Sequence, residues 1–203
     1  MSIFVSENRE KSMKDLTSVF IIRHAESQPD AQVPEPLWPL SERGKKQATD
    51  LVPFLKKNKI GVLYSSPYPR AIDTLQPYAA DCDLKIRLEN DLRERKLTEN
   101  FRTDWQSILI RAWSDFDYAL ENCESSRFAQ LRMVSAVKNI ALAHRGETVA
   151  IASHGNVIGL LLNSILTEFG YDDWKTIRNP DAMHIVFDGI QFSWDRRKLS
   201  LFE

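Results

Sequence analysis

Two histidines each follow an apolar run. His24 comes after Val19-Phe20-Ile21-Ile22-Arg23, and His154 after Val149-Ala150-Ile151-Ala152-Ser153. Such runs read as buried strands, and in an open α/β sheet ligands bind at the C-terminal strand edge. Arg70 follows a third apolar run and Glu94 a fourth. Two imidazoles, two guanidiniums (Arg23 and Arg70) and one carboxyl at a single edge suit phosphoryl transfer through a histidine nucleophile.

A phosphate monoester is mostly a dianion at pH 7, because its second pKa is about 6. Its site needs fixed positive charge. Arginine supplies that with planar, bidentate donors and stays charged. Arg23 stands at the end of the first strand, and Arg70 in the first turn of an expected helix, whose free N–H groups also favour an anion. His154 stands before Gly155-Asn156, where another helix is expected to begin, so all three join the phosphate-binding set. A nucleophilic His24 must be neutral, with one nitrogen free and the other held by a hydrogen bond. Among arginines the neutral imidazole is favoured over imidazolium. The departing alkoxide needs a proton, and a carboxyl beside a phosphate dianion holds its proton more tightly. Glu94, in Asp91-Leu92-Arg93-Glu94, is the candidate donor.

These residues require strands that end together. Apolar runs alternate with helical patterns, which predicts βα units around a mostly parallel sheet. The strands are expected at 17–22, 60–65, 84–88, 148–153, 183–187 and 190–194. The last two flank Asp188-Gly189, a hairpin dipeptide that predicts an antiparallel edge. Ser41 caps an expected helix through Leu51 to Lys56. Ser66-Pro67 reads as N-cap followed by the first helical residue. A helix from about Ser125 ends at His144-Arg145-Gly146, and one after Gly155-Asn156 runs to Ile165. The aromatic stretch from Trp105 to Tyr118 lies in an insertion at about 98–123, expected as a helical roof over the strand ends. Core packing is the commoner use of such a stripe. His144 reads as a helix-end residue and His184 as a structural one.

The 203 residues, 43% of them hydrophobic, suit one domain with a sizeable core. Residues 1–12 read as an N-terminal extension and 13–203 as the domain. The net charge of −1 calls for neither nucleic acid nor an anionic membrane. No apolar stretch approaches the roughly 20 residues of a membrane span. Cys82 and Cys123 lack metal-type spacing, and a reduced, cytoplasmic setting is the simplest reading. There is no P-loop motif. The four histidines make no short-spaced metal pair, so no metal or cofactor is expected.

Taken together, the chain resembles the histidine phosphatase superfamily, the phosphoglycerate-mutase-like proteins. Arg23-His24-Ala25-Glu26-Ser27 is similar to its R-H-G-E/Q-[ST] signature, and Pro39-Leu40-Ser41-Glu42-Arg43-Gly44 to its P-L-[TS]-x-x-G element. Ser65-Ser66-Pro67-Tyr68-Pro69-Arg70-Ala71 through Thr74 resembles S-S-x-x-R-A-x-x-T. Leu92-Arg93-Glu94 resembles L-x-E, and Glu124-Ser125 with Arg132 resembles G-E-S and its following arginine. Ser153-His154-Gly155-Asn156 resembles the second-histidine motif. The matches keep the family order from residue 18 to about 160. The resemblance implies a three-layer α/β/α sandwich with a mostly parallel central sheet. It also implies a transient phosphohistidine at His24, a pocket of Arg23, Arg70 and His154, and Glu94 as proton donor. Gly155 after the second histidine, where the acid phosphatase branch has Asp, favours Glu94 in that role. Gly155, Asn156, Ser41 and Asp30 complete the expected phosphate and substrate contacts. Asp30 stands where the family often has Asn; a carboxylate there repels a dianion, so it either turns away or selects another substrate. Arg95-Lys96-Leu97-Thr98 replaces the usual glycines and tryptophan.

The expected activity is a cofactor-independent phosphomonoesterase acting on a small phosphorylated metabolite. Mutases of the family carry a longer segment after L-x-E, whereas 26 residues separate Leu97 from Glu124 here, so water should reach the phosphohistidine. Phosphoglycerate mutase is the alternative, and a non-catalytic phosphate-binding protein on the same fold is the third reading.

Overall fold

The structure, a computed structural model, describes residues 16–99 and 102–196. The expected extension, 1–12, lies outside the described residues. Six strands form one sheet: β1 (Thr17–Arg23), β2 (Val62–Ser65), β3 (Ile86–Leu88), β4 (Thr148–Ser153), β5 (Asp181–Phe187) and β6 (Phe192–Trp194). Their order is β3-β2-β4-β1-β5-β6. The four on the left are parallel. Strand β5 runs antiparallel to both β1 and β6.

Alternation along β1 sorts the core. Val19 and Ile21 face one layer with Val149, Ile151, Met183 and Ile185. Phe20 and Ile22 face the other with Leu63, Ala150 and Ala152. Both faces are buried, so β1 is apolar throughout rather than alternating. The first face is covered by α4 (Trp105–Ser114), α5 (Ser126–Ala143) and α6 (Gly155–Ile165), and the second by α2 (Val52–Lys57) and α3 (Pro69–Asp81), while α1 (Glu42–Asp50) packs on α3 and buries Ala48 with Ala25 and Leu40. A short α7 (Tyr171–Trp174) follows α6. The result is the three-layer sandwich with a mostly parallel sheet that the sequence predicts.

Several boundaries differ from expectation. The single helix expected from Ser41 to Lys56 is two, α1 and α2, joined at Leu51. Pro53 lacks an N–H and crowds the carbonyl four residues back, which interrupts the ladder. Helix α3 starts at Pro69 rather than Pro67, with Tyr68 as its N-cap; Ser66 Oγ accepts from the Tyr68 N–H at 3.3 Å. Two Ser/Tyr-Pro steps compete, and the second wins. Strand β6 begins at Phe192 because Asp188 Oδ1 accepts from the amides of Ile190 and Gln191. That widens the turn around Gly189, whose φ is +91°. Within the insertion, Leu109 and Trp113 of α4 are buried in the first core, so the aromatic stripe is largely packing. Among the described residues no helix is long and apolar enough to cross a membrane.

Candidate active site

The C-terminal ends of β2, β4 and β1 stand side by side and deliver Ser66, His154 and His24. The His24 N–H donates to Ser153 O at 3.0 Å, and the Ser66 N–H to Ala152 O at 3.0 Å. Both histidines are buried, and their ring centroids lie 5.2 Å apart.

His24 Nδ1 lies 2.7 Å from the carbonyl of Ala25. A carbonyl only accepts, so Nδ1 carries the hydrogen and Nε2 is left with its lone pair. Arg70 Nε donates toward that Nε2 at 3.3 Å. Burial first, then the charge of Arg70, pushes the His24 pKa down to about 3, against the opposing hydrogen bond to Ala25. The imidazole is therefore neutral across the working pH range, as a nucleophile requires. The Ala25 N–H donates to Thr74 Oγ1 at 2.9 Å, and Thr74 Oγ1 donates to Arg70 O at 2.7 Å. One threonine thus fixes the nucleophile's loop to the helix bearing Arg70.

His154 Nε2 lies 2.8 Å from Ser66 Oγ. Ser66 Oγ also accepts from the Tyr68 N–H at 3.3 Å, and its own hydrogen can go to Nε2, the arrangement in which the imidazole proton sits on Nδ1. Nδ1 is buried and has no partner among the described residues, as is also true of Arg23 Nε and Asn156 Oδ1. Burial, reinforced by Arg70, His24, Arg132 and Arg23, holds His154 well below the usual histidine range. Arg23 donates through Nη1 to Ile177 O at 2.6 Å. A Cβ at Gly155 would stand 2.9 Å from Arg23 Cζ, so glycine is what lets this guanidinium lie against the start of α6.

Glu94 reaches the same helix. Its Oε2 accepts from the Asn156 N–H at 3.0 Å, and its Oε1 from Val157 at 3.1 Å and from Arg95 at 2.9 Å. The segment that carries it is clamped by Arg132, which donates to the carbonyls of Asp91, Arg93 and Glu94. Arg132 also forms a two-pronged pair with Glu124, at 2.8 Å on each side. Burial alone would raise the Glu124 carboxyl, but the hydrogen bond and charge of Arg132 outweigh it and the net shift is downward. The Glu124, Ser125 and Arg132 element thus supports Glu94 from behind.

His24, His154, Arg23, Arg70, Glu94, Gly155 and Asn156 are brought together. Two other expected contacts are not. Asp30 sits on an exposed turn, its Oδ1 accepting from the Gln32 N–H at 2.8 Å and its carbonyl accepting from the Trp38 indole at 3.0 Å. The residues around it form their own turn, which takes up the Asp30 carboxylate. Ser41 Oγ accepts from the Gly44 N–H at 3.0 Å and donates to Glu26 Oε1 at 2.7 Å. Its element is a brace: a Cβ at Gly44 would meet Glu26 O at 2.0 Å, and Gln47 holds the Glu26 N–H at 2.9 Å.

Sequence reasoning missed three neighbours. Asn179 Nδ2 donates to His24 O at 2.7 Å from the loop before β5. Tyr68 packs its ring 5.0 Å from that of His154 and lies 5.0 Å from Arg70 Cζ. Glu35, in a 3-10 turn between two prolines, pairs its carboxylate with Arg70 Nη2, while its carbonyl accepts from Arg70 Nη1 at 2.8 Å. The Pro-Glu-Pro spacing, which fixes a backbone locally, was the signal available for Glu35.

Comparison with known proteins adds an independent line. The family model of the histidine phosphatase superfamily (branch 1) matches residues 19–199. A metal-independent phosphoserine phosphatase of Arabidopsis thaliana is 30% identical over 165 residues, covering 73% of this chain and 68% of that protein. Phosphoglycerate mutase-like protein 4 of the same plant is 28% identical over 163 residues, covering 71% and 69%. The solved structure of Bacillus stearothermophilus YhfR superposes with a TM-score of 0.75 over 88% of this chain and 95% of its own, at 23% identity. That last likeness is one of fold.

Proposed function

The chain belongs to branch 1 of the histidine phosphatase superfamily, and on that footing we propose that it is a cofactor-independent phosphomonoesterase acting through a phosphohistidine at His24. One observation carries the reading: a buried, neutral His24 whose Nδ1 is tied to Ala25 O and whose Nε2 lone pair faces Arg70.

In the first step Nε2 attacks phosphorus, the P–N bond forms and the ester P–O bond breaks. Arg23, Arg70 and the His154 Nδ1–H meet the charge on the phosphoryl oxygens. Such donors matter most where charge grows in the transition state. The leaving alkoxide takes a proton from a carboxyl, for which Glu94 is the candidate. In the second step water attacks phosphorus, the P–N bond breaks, and orthophosphate leaves. The same carboxylate takes up the water's proton, and His24 returns neutral.

Phosphoglycerate mutase is the second reading, because a phosphoglycerate mutase-like protein is similar to this chain as well as a phosphoserine phosphatase. The short segment between Leu97 and Glu124 favours water over a retained acceptor. The deciding experiment is phosphate release from a panel of phosphomonoesters, beside bisphosphoglycerate-dependent isomerisation of a phosphoglycerate. Hydrolysis that survives EDTA and is abolished by His24→Ala supports the phosphatase. Isomerisation exceeding hydrolysis reverses it. Absence of both, with phosphate still bound, leaves a binding protein.

A further inference from the structure

Arg70 has no edge left for a substrate. Its Nε faces His24, its Nη1 donates to Glu35 O at 2.8 Å, and its Nη2 holds the Glu35 carboxylate. A phosphate that is to sit on this arginine must displace that carboxylate. The backbone of Glu35 stays where it is: Pro34 and Pro36 flank it, and Glu35 O also accepts from Trp38 N–H at 3.2 Å. Only the side chain turns, so the displaced carboxylate remains within a side chain's length of the ester.

There it needs a new partner. The strongest charges acting on Glu35 are Arg70 and, as a repulsion, Glu94. The other guanidiniums of the site are committed: Arg23 donates to Ile177 O at 2.6 Å and its unpartnered Nε is left for the phosphate. Arg93 pairs with Asp91 at 3.0 Å and Glu124 at 3.1 Å. Arg132 is spent on Glu124 and three carbonyls. A second phosphate-side carboxylate without a protein cation suits a leaving group that brings its own.

We propose that Glu35 is a specificity-determining residue: it holds Arg70 until phosphate displaces it, and then pairs with a cation on the leaving group, so that aminoalkyl phosphomonoesters are preferred over carboxylate-bearing ones. This rests on the phosphatase reading for its second half only; the displacement stands on the ion pair.

The test uses the whole chain, wild type and with Glu35→Gln or Glu35→Ala. Both variants should fold, since Glu35 is in a surface turn, and a thermal melt checks that. Calorimetry with inorganic phosphate measures the displacement. Removing a partly exposed pair should tighten phosphate about fivefold. Next, kcat/KM is compared for phosphoethanolamine, glycerol 3-phosphate and 3-phosphoglycerate. Wild type should prefer them in that order, and Glu35→Gln should erase most of the amine's advantage while helping the carboxylate. Unchanged phosphate affinity and an unchanged substrate order overturn the proposal. A loss of kcat on alkyl esters but not on p-nitrophenyl phosphate, with phosphate affinity unchanged, makes Glu35 a proton donor and overturns it too. If wild type hydrolyses none of these esters nor p-nitrophenyl phosphate, the phosphatase reading fails, while the calorimetry still decides the displacement.

Discussion

Arg70 Nε stands 3.3 Å from His24 Nε2, donor toward lone pair. One guanidinium therefore orients the imidazole and, once phosphate displaces the Glu35 carboxylate from Nη2, also holds the phosphoryl group. A lysine is a single point charge and cannot direct two fixed N–H groups at once. Arg70→Lys should therefore lower kcat/KM by about 10²-fold or more, with the melting temperature little changed. Steady-state kinetics with p-nitrophenyl phosphate checks this. Activity within a few-fold of wild type would mean that charge alone suffices.

The two buried histidines make the fold sensitive to acid. His24 has its pKa pushed down to about 3, and His154 is also held well below the usual value. In the unfolded chain each takes up a proton near pH 6.5. Below that pH the unfolded state binds more protons than the folded one, so stability falls as pH falls. The slope per histidine approaches about 1.4 kcal/mol per pH unit between roughly pH 6 and 4. Denaturant unfolding across that range should show it, and His154→Asn should remove about half of the two-histidine contribution. A slope that the variant leaves untouched would place the acid sensitivity elsewhere.

Gly155 is small because Arg23 lies against it. In Gly155→Ala the new methyl meets Arg23 Cζ at 2.9 Å, so the guanidinium must shift by several tenths of an ångström. Gly155 is the first residue of α6, and the atom the methyl meets is the end of a flexible side chain. The variant should therefore keep its stability while kcat falls at least about tenfold through misplaced charge. A melt and a kcat measurement on one preparation separate the two effects. Unchanged kcat would show that Arg23 tolerates displacement.

Arg23, His24 and His154 were legible because each stands at the end of an apolar run, and Arg70 because it opens the helix after one; parallel strands of one sheet end on one side. Glu94 followed from its short motif. What stayed hidden is what tertiary order alone creates. Asn179 reaches His24 across 155 positions because β5 inserts beside β1, and no local pattern specifies that neighbour. Glu35 lies in a proline-rich turn without periodicity. For Asp30 and Ser41 the motif was visible but not its task. Short polar side chains at turns and helix starts are claimed first by nearby backbone amides, as Gln32 and Gly44 claim these two.

Glu94 is the remaining assignment, and the leaving group is the probe. A general acid typically contributes about 10²–10⁴-fold when the leaving group is poor. An alkyl alkoxide is poor, whereas p-nitrophenolate departs with little help. Glu94→Gln should thus slow alkyl esters strongly and p-nitrophenyl phosphate far less. The structure adds a second effect. Three backbone N–H groups, from Arg95, Asn156 and Val157, converge on the Glu94 carboxylate. A glutamine turns an NH2 toward at least one of them, and a buried donor left unsatisfied costs about 1–3 kcal/mol. The variant should melt lower, whichever substrate is used. Equal kinetic losses on both esters, together with the lower melt, would make Glu94 a positioning residue for the start of α6. Rescue by Glu94→Asp separates the two roles. A shortened carboxylate can still donate a proton but reaches the three amides poorly, so a leaving-group bias that persists in this variant marks the acid.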